Sequence, residues 1–195
     1  MKFVIIGIIS YLIGSFSSAY HLGKALKKID IRTQGSGNSG ATNALRVMGA
    51  KIGILTFLMD FFKGILAVLI GFYLGGYNGG LIGGICAVIG HDFPIFIGFK
   101  GGKGVATSLG ALAILHFPTA LISVIIGIIV ALFTRYVSLG SIVFFILNPI
   151  ISIILSEPNN QYLTLTTIFL GLLGIYRHRS NIKRLIRGNE NKIGR

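Results

Sequence analysis

Acidic residues are scarce in this chain. Five Asp and Glu stand against 18 Lys and Arg, which gives a formal charge of +13 over 195 residues. Charged residues of both signs make up only 12%, where a soluble domain typically carries about a quarter. With 53% hydrophobic residues and a mean hydropathy of +0.82, there is too little polar surface to cover a soluble globule. The same figures exclude disorder, which requires low hydrophobicity. Cysteine is almost missing as well. Cys86 stands alone, so a disulfide framework, a zinc ribbon and a CxxC redox pair are all excluded, and it reads as a small hydrophobe. No cluster of metal ligands is visible, and neither a metal nor another cofactor is expected. The basic excess lacks the aromatic-interleaved module of a nucleic-acid binder, so no nucleic-acid partner is expected. Topology and attraction to anionic lipid headgroups account for the charge more simply.

What the chain does have is a series of apolar runs, and a membrane helix needs about 20 mostly apolar residues. The runs are Phe3–Leu22, Ile52–Leu74, Leu81–Phe99, Val105–Leu115, Pro118–Phe133, Leu139–Leu155 and Tyr162–Tyr176. The start imitates a signal peptide, with Lys2, an apolar run and Ser17-Ser18-Ala19, but further spans follow and it is kept as the first helix. The fourth and fifth runs are short, and a proline kink near Pro118 could join them into one span. Seven separate spans are preferred, because the charges then fall on one side. That side would hold Lys24, Lys27, Lys28, Arg32, Arg46, Lys51, Lys100, Lys103, Arg135 and the basic tail, and the other side only Lys2. The positive-inside rule then puts the C-terminus in the cytoplasm and the N-terminus outside. The expectation is one all-α, polytopic membrane domain over residues 1–195, with seven transmembrane helices. Glu157-Pro158-Asn159-Asn160 is expected as an outside loop.

Three polar segments fall on the predicted cytoplasmic side. The first is Gly35-Ser36-Gly37-Asn38-Ser39-Gly40-Ala41-Thr42-Asn43, followed by Arg46. Glycines permit positive φ, and successive backbone N–H groups can then line an anion-binding hollow. Neutral hydroxyls and amides add hydrogen bonds, and Arg46 adds a fork suited to phosphate. A helix is expected to begin near Ile52, and its N-terminus would favour an anion. The second segment is His91-Asp92-Phe93-Pro94, then Phe99-Lys100-Gly101-Gly102-Lys103-Gly104, with Thr107 and Ser108 beyond. It is not a P-loop, because Gly104 follows Lys103 where Ser or Thr would stand, and nucleotide hydrolysis is rejected. The third is Tyr176-Arg177-His178-Arg179-Ser180-Asn181. The flanking arginines favour a neutral His178, able to accept a proton or bond a hydroxyl. Arg135, Ser138 and Ser141 at another turn could add phosphate contacts. Asp60 and Lys63 lie three apart inside the second run and are expected to pair on one helix face. His91 and Asp92 are read as shaping their turn.

The segments GSGNSGATNALRVMG, HDFPIFIGFKGGKGVATSLG and IYRHRSNIKRL resemble the three signature segments of the bacterial membrane acyl-phosphate:glycerol-3-phosphate acyltransferases, the PlsY family. The likeness extends over nearly the whole chain. It implies a seven-helix protein of the bacterial inner membrane, with its active site facing the cytoplasm. It implies transfer of an acyl chain from acyl phosphate to the sn-1 hydroxyl of glycerol 3-phosphate, giving lysophosphatidic acid and phosphate for phospholipid synthesis. Acyl-CoA and acyl carrier protein are not expected as donors. By motif position, the active-site group would be Ser36, Arg46, Lys103, His178 and Asn181. Substrate contacts would come from Gly35, Gly37, Asn38, Gly40, Thr42, Asn43, Gly101, Gly102, Gly104, Thr107, Arg135, Ser138, Ser141 and Arg177. The expected partners are the two substrates and membrane lipid, and the expected state is a monomer.

The residues themselves agree with such chemistry. None of His21, His91, His116 and His178 has an Asp five positions later, so the His-x4-Asp dyad of other glycerolipid acyltransferases is missing. No Ser-His-Asp or Cys-His constellation is evident, and an acyl phosphate carries a good leaving group, so no acyl-enzyme is needed. The competing class is a membrane transporter of phosphate or phosphorylated metabolites. It predicts charged residues along a path through the bilayer. Embedded charges are few here, chiefly Asp60 and Lys63, and the polar segments cluster on one face.

Overall fold

A computed structural model describes residues 1–155 and 160–193, all in helices and connecting turns with no strand among them. The expected outside loop at Glu157, Pro158 and Asn159 lies outside the described residues, as does Arg195. The chain divides into two compact units, Met1–Ile114 and Leu115–Arg195.

The first unit opens with α1 (Lys2–Ser15) and α2 (Ser18–Leu22), which widens into a π-helical turn at Gly23–Lys27. The single helix expected over Phe3–Leu22 is thus interrupted at Phe16 and Ser17. The interruption has a physical reason: it frees the Phe16 carbonyl, which accepts a hydrogen bond from the buried Lys63 Nζ at 2.8 Å. After a 3₁₀ turn at Ile31–Thr33 comes α3 (Ala41–Met48), then α4 (Ala50–Asp92). The helix following the first glycine-rich loop is therefore α3, and it starts eleven residues before the expected Ile52. α4 is broken at Gly76, whose φ of 63° and ψ of −157° suit only a residue without a Cβ. Its two arms fold back on each other, and a Cβ on Gly79 would strike the Gly71 carbonyl. The second and third expected spans are these arms. A 3₁₀ turn at Ile95–Ile97 and an extended stretch lead to α5 (Val105–Leu115).

Asp60 and Lys63 do pair, at 2.8 Å. Ser18 Oγ donates to Asp60 at 2.8 Å, and Lys63 Nζ also lies 2.9 Å from His91 Nδ1. Lys63 is 7% exposed and Asp60 1%, so the pair holds both arms of α4 to the α1–α2 break. A buried charge left without such partners would be costly.

The second unit contains α6 (Phe117–Thr134), α7 (Val137–Leu155), α8 (Gln161–Arg177) and α9 (Arg179–Ile186). Pro118 sits in the first turn of α6, where its missing N–H costs nothing. It starts a helix and does not kink one, so the fourth and fifth runs are separate helices. Arg135, at φ 63°, turns the chain from α6 into α7, and Asn160 Oδ1 caps α8 by accepting from the Leu163 N–H at 3.3 Å.

Among the described residues, four helical runs are long and apolar enough to cross a membrane: Lys2–Lys27, Ala50–Ile97, Phe117–Thr134 and Val137–Leu155. Their apolar side chains remain exposed along α6 (Ile125, Ile129, Leu132, Phe133) and α7 (Ile146, Ile150, Ile153, Ile154), as lipid-facing surfaces require. The chain is a multi-pass membrane protein. α5 has 11 residues and a length of about 16 Å, roughly half the hydrocarbon thickness.

Candidate active site

In the first unit the two glycine-rich segments are fastened to each other. The first loop is organised from within by Asn43, which is 2% exposed. Its Oδ1 accepts the Ser36 N–H at 2.9 Å, and its Nδ2 donates to the carbonyls of Asn38 at 2.9 Å and Gln34 at 3.0 Å. Gly35 and Gly37 hold φ of 57° and 71°, which lets the chain coil tightly around that amide. Asn38 then reaches across: its Nδ2 donates to the Gly101 carbonyl at 3.1 Å while its Oδ1 accepts the Gly40 N–H at 3.1 Å. Ser39 Oγ donates to the Lys100 carbonyl at 3.4 Å. Ser36, Thr42 and Arg46 stay on the exposed side of this frame, and Lys103 is half-buried.

Two further residues brace the loop, and sequence reasoning had counted them only as charge or not at all. Asp30 Oδ2 accepts from Arg32 Nη2 at 2.7 Å, and Arg32 Nη1 donates to the Ile97 carbonyl at 2.8 Å. The hydrogen bond from Arg32 pulls the Asp30 carboxyl from its ordinary value down to about 2. The signal available in the sequence was an acid two positions before an arginine at the start of a glycine-rich loop, in a chain nearly devoid of acids.

The second segment leans on the end of α4. The Gly102 N–H donates to the His91 carbonyl at 3.0 Å, and a Cβ on Gly102 would collide with the His91 imidazole. Gly104, at φ 73°, lies against the wholly buried Asp92 carboxylate. His91 and Asp92 therefore shape the turn, as their positions suggest.

In the second unit, His178 joins α8 to α9 and is 3% exposed. Its Nδ1 lies 2.8 Å from the Gly174 carbonyl. A carbonyl can only accept, so Nδ1 carries a hydrogen. The Phe145 ring, admitted by Gly174, packs against the imidazole with centroids 5.9 Å apart. Asn181 is 5% exposed, one turn along α9. Arg135 is exposed at the α6–α7 turn, Ser138 is buried at the start of α7, and Arg177 is half-buried at the end of α8.

Three of the expected substrate contacts are bonded or buried within the chain. Asn43 gives its amide to the loop backbone. Ser141 Oγ donates to the Val137 carbonyl at 3.0 Å within its own helix. Thr107 is wholly buried, with its carbonyl against Gly64.

The chain matches the family model described as glycerol-3-phosphate acyltransferase over residues 4–188. The chain belongs to the glycerol-3-phosphate acyltransferase family. It is 47% identical over 192 residues to the glycerol-3-phosphate acyltransferase of Finegoldia magna, covering 98% of this chain and 96% of that one. It is 43% identical to that of Clostridioides difficile, covering 99% and 96%. Among solved structures it is similar to PlsY (YgiH), an integral membrane glycerol 3-phosphate acyltransferase, in its glycerol 3-phosphate form. That likeness has a TM-score of 0.92 and 39% identity, and it covers 100% of this chain and 96% of that one. The lysophosphatidic acid form of the same protein gives a TM-score of 0.89 at 38% identity, covering 100% of this chain and 96% of that one.

Proposed function

We propose that this chain transfers an acyl group from acyl phosphate to the sn-1 hydroxyl of glycerol 3-phosphate, releasing lysophosphatidic acid and inorganic phosphate. The observation that carries the reading is the joining of the two glycine-rich segments through Asn38 and the Gly101 carbonyl. It groups Ser36, Arg46 and Lys103 into one basic, hydroxyl-bearing frame in a family that acts on a phosphate-bearing acceptor. The solved relatives are described with glycerol 3-phosphate and lysophosphatidic acid, which are the acceptor and product of the proposed reaction.

In the proposed reaction the sn-1 oxygen attacks the acyl carbonyl carbon, the bond from that carbon to the phosphate oxygen breaks, and phosphate leaves. The hydroxyl proton passes to a substrate phosphate oxygen, with His178 Nε2 as a hydrogen-bond partner. Lys103, Arg177 and His178 orient glycerol 3-phosphate, and the first loop with Arg46 holds the acyl-phosphate headgroup. Asn181 and Ser138 add contacts to the same substrates. Positioning and electrostatic stabilisation supply most of the catalysis.

The proposal places this single acyltransferase domain in the bacterial inner membrane with seven crossings, the N-terminus outside and the catalytic segments in the cytoplasm. Positive charge concentrated in alternate connections supports it. A Lys2→Cys variant should react with an impermeant maleimide in spheroplasts, and Lys192→Cys only after permeabilisation. The reverse pattern removes the orientation.

The deciding assay measures phosphate release from palmitoyl phosphate by the purified protein in detergent, with and without glycerol 3-phosphate, beside palmitoyl-CoA as donor. Acceptor-dependent release with equal lysophosphatidic acid is the expected result. Transfer from palmitoyl-CoA alone would keep the acyltransferase and overturn the donor. No transfer from either donor by folded protein would overturn the reading.

A further inference from the structure

The charges embedded in α4 are not used by the reaction scheme, and ionisable residues inside a membrane-spanning segment are rare and mark function. Lys63 Nζ has three acceptors around it: Asp60 Oδ1 at 2.8 Å, the Phe16 carbonyl at 2.8 Å and His91 Nδ1 at 2.9 Å. An ammonium has no lone pair and can only donate, so His91 Nδ1 accepts and carries no hydrogen. The ring's one hydrogen is then on Nε2, and the ring is neutral. Asp60 Oδ1 lies 3.6 Å from the same Nδ1, beyond hydrogen-bond distance, and does not compete for it. His91 is 6% exposed, so Lys63 and not water sets the tautomer.

The Nε2 edge of that ring faces the second glycine-rich segment. It occupies the place where a Cβ on Gly102 would stand, while the Gly102 N–H donates to the His91 carbonyl at 3.0 Å. His91 thus meets the segment with both backbone and ring, at the residue before Lys103. The far end of the segment rests on the same turn of α4. A Cβ on Gly64 would strike the Thr107 carbonyl, and one on Gly110 would strike the Phe61 carbonyl, so α5 packs on α4 at Phe61 and Gly64. The chain from Gly101 to Val105 is therefore spanned between two supports, and Lys63 joins them. We propose that Lys63 fixes His91 in its Nε2–H tautomer, and that the ring so fixed aims the Gly101–Gly102–Lys103 segment at the phosphate of glycerol 3-phosphate. This inference rests on the acyltransferase reading for the identity of its ligand. Asp60, Lys63 and His91 are positioning residues, which act through Lys103. The opposite tautomer would turn a hydrogen against the ammonium. A ring that rotated to avoid it would press on Gly102, and Gly101 beside it already lies against the His91 carbonyl and Pro94.

The test uses the full chain in detergent and begins with the ring itself. Side-chain nitrogen NMR resonances, assigned to His91 by their loss in His91→Asn, should show a neutral ring with its hydrogen on Nε2. In the Asp60→Asn, Lys63→Met double variant that signature should give way to a mixture of tautomers. Kinetics then separate positioning from mere structure. Asparagine keeps an acceptor oxygen near the place of Nδ1 and so satisfies Lys63, but it has nothing at the place of Nε2. His91→Asn should hold its melting temperature and leave the palmitoyl phosphate KM unchanged. It should raise the glycerol 3-phosphate KM about 2- to 12-fold, the span expected for one neutral hydrogen bond. A residue that only supports the fold would lower the amount of active protein with both KM values fixed, and that result overturns the proposal. A ring with its hydrogen on Nδ1, or on both nitrogens, overturns it as well. If His91→Asn fails to fold, the ring signature of the unaltered chain decides. Glycerol 3-phosphate binding is also read by calorimetry. Binding weakened by the same factor in His91→Asn, in a chain that transfers no acyl group from palmitoyl phosphate, would keep the positioning role and remove the acyltransferase reading, so the two failures are separable.

Discussion

The side-chain amide of Asn38 and the backbone carbonyl of Gly101 meet at 3.1 Å, 63 positions apart in sequence. That contact sets the spacing between the Ser36–Arg46 side of the frame and Lys103. A neutral hydrogen bond of this kind contributes about 0.5–1.5 kcal/mol net. Asn38→Ala should therefore lower kcat/KM for acyl transfer by about 2- to 12-fold with little change in melting temperature. Activity equal to the unaltered chain would show that the two loops are positioned without the bridge.

Lys103 tests whether charge acts at a site or in bulk. A charge-assisted hydrogen bond is worth about 1.5–3 kcal/mol, so Lys103→Ala should weaken glycerol 3-phosphate use by about 10- to 150-fold. Arg187, exposed at the end of α9, should tolerate alanine. Equal losses at both positions would mean that overall basicity, which attracts anions without specificity, drives binding.

The scarcity of acids was the most informative feature of the sequence, and it was only partly used. Four of the five acidic residues are described, and each is held in place: Asp30 by Arg32, Asp60 by Lys63, Asp92 buried beside Gly104, and Glu190 by Arg184 and Asn181. Only the Asp60–Lys63 pair was legible beforehand, because three residues along a helix is a fixed local geometry. The apolar runs located the helices well, since lipid contact imposes composition directly. The Gly76 break was not legible, because one glycine among many gives no sign of which takes positive φ. The inward placement of Asn43 and Thr107 and the bond of Ser141 to its own helix were not legible either. A polar residue in a loop motif looks the same whether its side chain faces a ligand or its own backbone.

Lys63 gives a stability prediction. Its ammonium is held by Asp60, the Phe16 carbonyl and His91, deep among apolar helices. Removing one partner of a buried ion pair costs about 3–5 kcal/mol, because the other charge is left uncompensated. Lys63→Met should lower the thermal midpoint in detergent strongly, and Asp60→Asn added to it should recover a large part of the loss. A double variant no more stable than the single one would show that packing around Lys63, and not charge, sets the effect.

The Asp30–Arg32 brace predicts a pH response confined to acid. The folded carboxyl titrates near 2, below its ordinary 3.8, so its stabilisation is fully present above about pH 4. It is lost as pH falls toward 2, because the unfolded loop then takes up the proton more readily. Exchange protection of the Arg32 amide, which donates to Asp30 Oδ1 at 3.0 Å, should hold at pH 5 and decline below pH 4. Asp30→Asn should abolish that step. An acid decline that survives Asp30→Asn would place the titrating group elsewhere.

The proton acceptor separates two versions of the same reaction. A positioned general base contributes about 10²–10⁴ in rate. His178 has its Nδ1 hydrogen on the Gly174 carbonyl and its ring against Phe145, so the imidazole is rigidly aimed. Rigid aim suits a base, but it suits a hydrogen-bond partner equally well. Both substrates of the proposed reaction bring phosphate oxygens of their own, and no carboxylate is assigned to the chemistry. If a substrate oxygen takes the proton, His178→Gln should lose less than about a hundredfold in kcat, because glutamine keeps a hydrogen-bonding group but cannot accept a proton at neutral pH. The rate of that variant should also retain the pH dependence set by the substrate phosphate. Complete loss in a folded variant with unchanged glycerol 3-phosphate affinity would make His178 the base and end the substrate-assisted scheme.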